Sequence, residues 1–413
     1  MSAGDLQATI AAIWRIESPK LIARLSRIVH DVGRAEDLAQ DAFVSALAQW
    51  PDEGIPRNPG AWLMTIAQRR AVDLIRREET LARTTERFAR ELQPRSDGDF
   101  AAADEEIDDD LLRVIFVACH PSVSKDAHVA LTLKLAGGLT TPEIARAFLV
   151  SEATIAQRIV RAKRALAEAR VPFEVPSGAQ RRERLASILE TIYLIFNEGY
   201  SATAGDDVLR PELVEDALRL GRVVARLMPY EPEAHGLAAL MEIQASRMRA
   251  RVDASGAPIL LLDQDRGKWN RLLIGRGLEA LTRAERLGTL GPYALQAAIA
   301  ACHARAATPE ATDWERIAAL YDALAQTAPS PVVELNRAVA VGMAAGPRAG
   351  LEIVERLLAE PSLRTYHLLP SVRADLLVKL GRAGEARAEF ERAASLARNG
   401  RDRALLLERA ARC

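Results

Sequence analysis

The side chains best suited to do chemistry in this chain are cations and amides set at helical spacing. From Ser151 to Arg170 there are five basic residues against two acidic ones. Gln157 and Arg158 carry donors and acceptors that can read base edges, whereas Arg161, Lys163 and Arg164 suit phosphate oxygens. A second patch lies between Gln68 and Arg77, where Arg69, Arg70, Arg76 and Arg77 stand against Asp73 alone, and it too could meet phosphate. Other chemistry finds less support. Cys119-His120 and Cys302-His303 are adjacent pairs, not ligands spaced around a loop or helical turn, and nothing nearby completes a four-ligand set. Asp263, Asp265 and Arg266 could form a charged site, yet no Gly-rich phosphate loop or hydrolase elbow accompanies them. No enzyme activity, cofactor or metal is expected.

Helices must present these side chains. Apolar residues recur at i, i+3, i+4 and i+7 throughout, and alternating Val, Ile and Thr runs are almost absent, so an all-α fold is expected. Thr140 and Glu143 offer a capping box for a short helix carrying Ile144, Ala145 and Phe148, and the chain then turns through Leu149 and Val150. Ser151 is positioned to cap a second helix reaching about Ala169. On it Ile155, Ile159, Ala162 and Leu166 return to the inner face. Ala153, Gln157, Val160, Arg161 and Arg164 point outward, with Arg158 and Lys163 at the edges. A helix-turn-helix that enters a major groove needs such a pair, with small Ala145 at the approach; the alternative is a helical hairpin whose basic face is merely solvated.

Upstream, Ala35, Leu38, Ala39, Ala42, Phe43, Ala46, Leu47 and Trp50 form one apolar stripe, and Asp37, Gln40, Asp41, Val44 and Ser45 face away from it. Pro51 to Pro59 reads as a loop. Trp62, Leu63, Ile66, Ala67 and Leu74 line the inner side of the helix that follows, which exposes Gln68, Arg69, Arg76 and Arg77.

With 413 residues, of which 49% are hydrophobic and 27% charged, the chain can fill two or three domain cores, and wholesale disorder is excluded. A net charge of -1 excludes a uniformly basic nucleic-acid coat protein, so a DNA-binding surface must be a local patch. Three widely separated cysteines suit a reduced cytoplasm, and neither an export signal nor a membrane-length apolar run is found. Asp97, Asp99, Asp104, Glu105, Glu106, Asp108, Asp109 and Asp110 fall in a stretch without Lys or Arg, read as a solvated acidic linker. Helix breakers at Val171 to Gly178 and a weaker boundary near Gly288 to Pro292 complete the expected domains: 1–95, a linker at 96–110, 111–170, 171–290 and 291–413.

On these residues the chain resembles an extracytoplasmic-function (ECF) RNA polymerase sigma factor. Asp37-Leu38-Ala39-Gln40-Asp41-Ala42-Phe43 and Ala61 to Ala67, continuing into Arg70 to Arg77, resemble sigma region 2. Leu139 to Leu166 resembles sigma region 4, with Ser151-Glu152-Ala153-Thr154-Ile155 entering its recognition helix. The resemblance implies a non-enzymatic partner of core RNA polymerase that confers promoter specificity. Asp37, Gln40, Asp41 and Val44 would dock on the polymerase; Ser151, Thr154, Gln157, Arg158, Arg161, Lys163 and Arg164 would serve the −35 element; Gln68, Arg69, Arg76 and Arg77 would serve the −10 element. By family position, the loop from Pro51 to Gly60 would receive an unstacked base.

Beyond Val171 the chain resembles a subgroup with a tetratricopeptide-like (TPR) extension, of which Tyr193-Leu194-Ile195-Phe196-Asn197-Glu198-Gly199-Tyr200 and Asp263-Gln264-Asp265-Arg266-Gly267-Lys268-Trp269-Asn270 look like signature stretches. Ile317, Leu351 and Ala386 recur at close to the period of about 34 residues expected of such repeats. Tyr321 and Phe390 follow four residues after their markers, whereas Glu355 takes the aromatic place in the middle unit. Such a stack offers a concave face for a protein partner or is a packing scaffold. The length of the extension suggests regulation of the sigma part in cis. A helix-turn-helix operator-binding regulator with a TPR sensor is the competing reading, and the polymerase-docking block ahead of the helix-turn-helix argues against it.

Overall fold

The computed structural model describes residues 3–79, 100–148, 150–200 and 209–413. Among the described residues there are eighteen α-helices and no strand, only an isolated bridge between Val252 and Pro258. The all-α fold expected from the 3.6-residue periodicity is the fold that forms. The chain divides into two compact units, Met1–Leu194 and Ile195–Cys413.

In the first unit, α1 (Ala3–Val29) packs against α2 (Val32–Glu53), α3 (Pro59–Glu79), α4 (Phe100–Ala118) and α5 (Lys125–Leu135). Its Ile10, Trp14, Leu21, Ile22 and Leu25 are buried, and the Trp14 ring meets Phe43 of α2 at 4.5 Å. Two short-range partners follow, α6 (Thr141–Ala147) and α7 (Glu152–Glu168), both packed on α5. Gly138 precedes α6 with φ at +74°, and a β-carbon there would come within 2.6 Å of the Arg15 carbonyl oxygen, so the turn lies directly on α1. Helix α8 (Gly178–Tyr200) begins in this unit, where its Thr191 hydroxyl lies 3.6 Å from the Cys119 thiol. Burial pushes that thiol up to about 11, against the pull of hydrogen bonds to Thr191 and Thr132.

Three local expectations are corrected. Pro51 does not end α2, which runs on to Glu53 and stops at Gly54, where φ is +84° and the N–H donates to the Trp50 carbonyl. A proline in a last turn still lets that turn close, so the loop shrinks to Gly54–Asn58. Leu47 is 44% exposed and leaves the apolar stripe. The acidic stretch is not a uniformly solvated linker: from Phe100 it is helical, and Asp110 is buried among Arg113 at 2.7 Å, Arg27 at 3.7 Å and Arg24 at 3.9 Å. Three guanidinium groups offset the desolvation of that carboxylate. Asp97 and Asp99 lie outside the described residues, as do the side chains of Asp104, Glu105, Glu106 and Asp108.

The second unit contains α9 (Pro211–Leu227), α10 (Pro232–Ala245), α11 (Arg271–Leu287), α12 (Pro292–Arg305), α13 (Trp314–Thr327), α14 (Pro331–Ala344), α15 (Pro347–Leu357), α16 (Leu368–Lys379), α17 (Ala383–Leu396) and α18 (Gly400–Ala411). Hydrogen bonds span the boundary expected near 290. The Glu233 carboxylate at the start of α10 accepts from the Tyr293 and Ala294 N–H groups at the start of α12. The two compact units part within α8, between Leu194 and Ile195. From α13 to α18 each helix packs on the next, and the repeat markers Ile317, Leu351 and Ala386, one turn into α13, α15 and α17, are all buried. Glu355, out of pattern, is exposed and pairs with Arg373 at 2.9 Å.

Candidate nucleic-acid interface

The helix-turn-helix is built by its caps. Thr140 Oγ1 accepts the Glu143 N–H at 3.4 Å, and the Glu143 carboxylate accepts the Thr140 N–H at 2.7 Å, the two halves of a capping box. Burial alone would raise the Glu143 carboxyl, but the Thr140 hydrogen bonds and nearby Arg15 and Arg146 hold it below the usual carboxylate range. Ser151 Oγ accepts the Thr154 N–H at 3.1 Å and starts α7. Ile155, Ile159, Ala162 and Leu166 are then buried, which turns Gln157, Val160, Arg161 and Arg164 outward. Val160 is 64% exposed on this face.

The −35 set divides by environment. Gln157 and Arg161 are exposed and lie on the outward face. Arg164 is also exposed, with Nε donating to Glu168 at 2.6 Å one turn on. Ser151 and Thr154 are joined in the cap, their hydroxyl oxygens 2.8 Å apart. Arg158 is half-buried and paired with Asp126 of α5 at 3.3 Å. Lys163 turns to α2: its Nζ lies 2.5 Å from Glu36 and 3.5 Å from Asp37.

On α3, Arg69 and Arg76 are exposed and Gln68 is half-buried, while the Arg77 side chain lies outside the described residues. Arg70 ties α3 to α2 through Asp41 at 3.3 Å and the Ser45 hydroxyl at 2.9 Å. On α2, Asp37, Gln40, Asp41 and Val44 share one exposed face, with Val44 63% exposed. This face combines carboxylates with an apolar patch that Leu47 extends, a composition suited to a protein partner that carries both charge and apolar surface.

Glu36 joins these residues without a local sequence motif to mark it. Its side chain is 3% exposed and receives Lys163, Lys134 at 3.5 Å and Gln40 Nε2 at 2.6 Å. Its place beside Ala35 at the edge of the apolar stripe was a readable hint of burial. Its lysine partners, about a hundred residues further on in the chain, left no trace in local pattern.

The arrangement matches two sigma domains in order: sigma-70 region 2 over residues 13–80 and sigma-70 region 4 over residues 113–166. The ECF RNA polymerase sigma factor SigK of Mycobacterium sp. (strain KMS) is 31% identical over 154 residues, 36% of this chain and 76% of that protein. The chain belongs to the ECF RNA polymerase sigma factor family. This sigma factor is a non-enzymatic initiation factor, and its two domains imply contact with core RNA polymerase and promoter DNA. SigK of Mycobacterium bovis (strain BCG / Pasteur 1173P2) is 28% identical over 168 residues, covering 40% of this chain and 87% of its own. Along nearly its whole length the sigma factor is similar to the uncharacterized protein R00370 of Rhizobium meliloti (strain 1021), at 45% identity over 94% of this chain and 92% of that one. Residues 184–285 match a family of unknown function, DUF6596. No solved structure matches the chain. Among the described residues no helix is long and apolar enough to cross a membrane, and no cluster of His, Cys, Asp and Glu is fit to hold a metal.

Proposed function

We propose that this sigma factor seats on core RNA polymerase in the cytoplasm through Asp37, Gln40, Asp41 and Val44 of α2, and directs promoter-specific initiation. In this reading the outward face of α7 reads the −35 element: Gln157 contacts base edges, and Arg161 and Arg164 contact phosphates. Arg69, Arg76 and the Gln68 edge of α3 serve the −10 element, and the loop Gly54–Asn58 receives the unstacked base. The observation that carries the proposal is the conjunction of regions 2 and 4 in one chain with an exposed Gln157–Arg161 face on a capped second helix.

The pairing of Lys163 with Glu36 and Asp37 bears on how the protein works. A residue assigned to DNA and one assigned to polymerase here neutralise each other, so the use of Lys163 on phosphate requires that bond to part. The helical hairpins from α13 to α18 support a TPR-like extension with a protein partner, acting on the sigma part in cis.

Run-off transcription tests the reading. Transcripts that appear only when both core polymerase and this protein are present, and that fall in Arg161→Ala, support it. Equal binding to the same DNA without core polymerase would instead favour an operator-binding regulator. A chain ending at Leu194 separates the cis role: unchanged transcription and unchanged core binding would defeat it.

A further inference from the structure

The two signature stretches of the extension, one ending at Tyr200 and one spanning Asp263 to Asn270, fall outside the sigma domains matched at residues 13–80 and 113–166, and in the second unit they meet. The Arg251 guanidinium carbon stands 3.9 Å from the centre of the Tyr200 ring. Arg247 lies between two rings, 5.9 Å from Tyr200 and 5.8 Å from Trp269. Arg266 covers Trp269 at 5.0 Å. Three cations therefore converge on one pair of aromatic faces.

Their charges are poorly answered. Arg266 is anchored by carbonyl oxygens, those of His303 at 2.6 Å and Ala306 at 2.7 Å, and by the Thr312 hydroxyl at 3.3 Å, none of which carries charge. Among the described residues no carboxylate is within ion-pair distance of Arg247, Arg251 or Arg266; Glu310 and Asp402 act on Arg266 and Arg251 only from further away. His303 is pushed down to about 4 by burial and by Arg247 and Arg266, and is neutral at pH 7.

The donors are also unspent. Nε of Arg247, Arg251 and Arg266, together with Trp269 Nε1 and the Tyr200 hydroxyl, are sealed from water and have no hydrogen-bond partner among the described residues. Tyr200, Arg266 and Trp269 are only 6%, 7% and 3% exposed. Desolvated cationic donors without acceptors are costly, and stacking on a ring holds a guanidinium in place without satisfying its N–H edge. Arg247 and Arg251 are half-exposed and form the side from which a ligand can enter.

We propose that this cluster is a binding site for the phosphoryl group of a small-molecule ligand, held by Arg247 and Arg251 at the entrance and by Arg266 and the Trp269 indole within. Four unspent N–H donors and three positive charges match the three acceptor oxygens and near-dianionic charge of a phosphoryl group better than the two oxygens of a carboxylate. The extension would then carry a ligand-responsive site in addition to its repeats.

Calorimetric titration of the full chain at fixed ionic strength tests this, with orthophosphate, pyrophosphate, adenosine diphosphate and citrate as probes. Saturable binding of any of the three phosphates, weakened on the order of tenfold by Arg247→Gln and by Arg251→Gln, is expected. Which phosphate binds tightest separates a free phosphate from a nucleotide. Trp269→Phe keeps the ring and removes the indole N–H, so it should also weaken binding while circular dichroism stays unchanged. No saturable binding, unchanged binding in both arginine variants, or tighter binding of citrate than of any phosphate would overturn the proposal. None of these readouts involves transcription, so failure here leaves the sigma-factor reading untouched.

Discussion

Glu36→Gln tests what holds region 4 against region 2 in the first unit. The carboxylate is 3% exposed, with Lys163 at 2.5 Å, Lys134 at 3.5 Å and the Gln40 amide at 2.6 Å. The substitution keeps shape and an acceptor for Gln40 but removes the buried charge that answers Lys134, and leaves Lys163 only the exposed Asp37 at 3.5 Å. Breaking a buried pair by removing one partner costs about 3–5 kcal/mol. Lys163 is 21% exposed and can lead its ammonium to water, so we take the lower end, about 3 kcal/mol, for the contact between α2 and α7. At 1.4 kcal/mol per decade this corresponds to roughly a hundredfold. Amide hydrogen exchange across Ile155 to Leu166 should therefore accelerate about a hundredfold, while amides of α12 in the second unit stay unchanged. Replacing the pair by apolar groups, Glu36→Leu with Lys163→Met, should restore most of the protection, because the uncompensated charge is gone. Acceleration of less than about threefold in the single variant would refute the claim that these ion pairs fasten α7 to α2.

Three further outcomes are expected. Arg161→Ala should weaken promoter binding on all sequences and lower the salt dependence by about one counterion, whereas Gln157→Ala should change base preference at one position by about 1–3 kcal/mol; equal losses everywhere for both, in binding assays over a salt series, would contradict their roles. His303 is held neutral, mostly by burial, with a value pushed down to about 4, while an unfolded histidine takes a proton near 6.5; stability of the second unit is thus complete above 6.5 and falls as pH drops toward 4, by about 3 kcal/mol. Urea midpoints measured across that range should show this slope, and His303→Gln should flatten it. Gly236→Ala would bring a β-carbon to 2.6 Å from the Ala294 nitrogen and 2.8 Å from its Cα, both backbone atoms, so a loss of about 1–3 kcal/mol is expected, read as a fall in the second unit's Tm.

Much of the sigma part was legible in the chain itself because its determinants are local. The capping box at Thr140 and Glu143, the Ser151 cap and the apolar face Ile155, Ile159, Ala162 and Leu166 are set by spacing within one or two turns, and all form as spaced. The buried markers Ile317, Leu351 and Ala386 were found by period in the same way. Where a local rule met a competing local rule, the sequence misled: Pro51 suggested a stop, but a proline in the final turn costs the helix little, and Gly54 supplies the end.

What tertiary structure alone decided is charge pairing over long separations. Asp110 looks like one more acid in a solvated run until Arg24 and Arg27 of α1 surround it. Lys163 belongs by pattern to a DNA-facing edge, yet Glu36 and Asp37 of α2 claim it. Tyr200, Arg247, Arg251, Arg266 and Trp269 are unremarkable one by one and become a site only where the fold stacks them. Helical periodicity is written in neighbours three and four residues apart, so sequence determines it; whether a buried charge finds an opposite charge depends on which distant helix comes to lie against it, and only packing settles that.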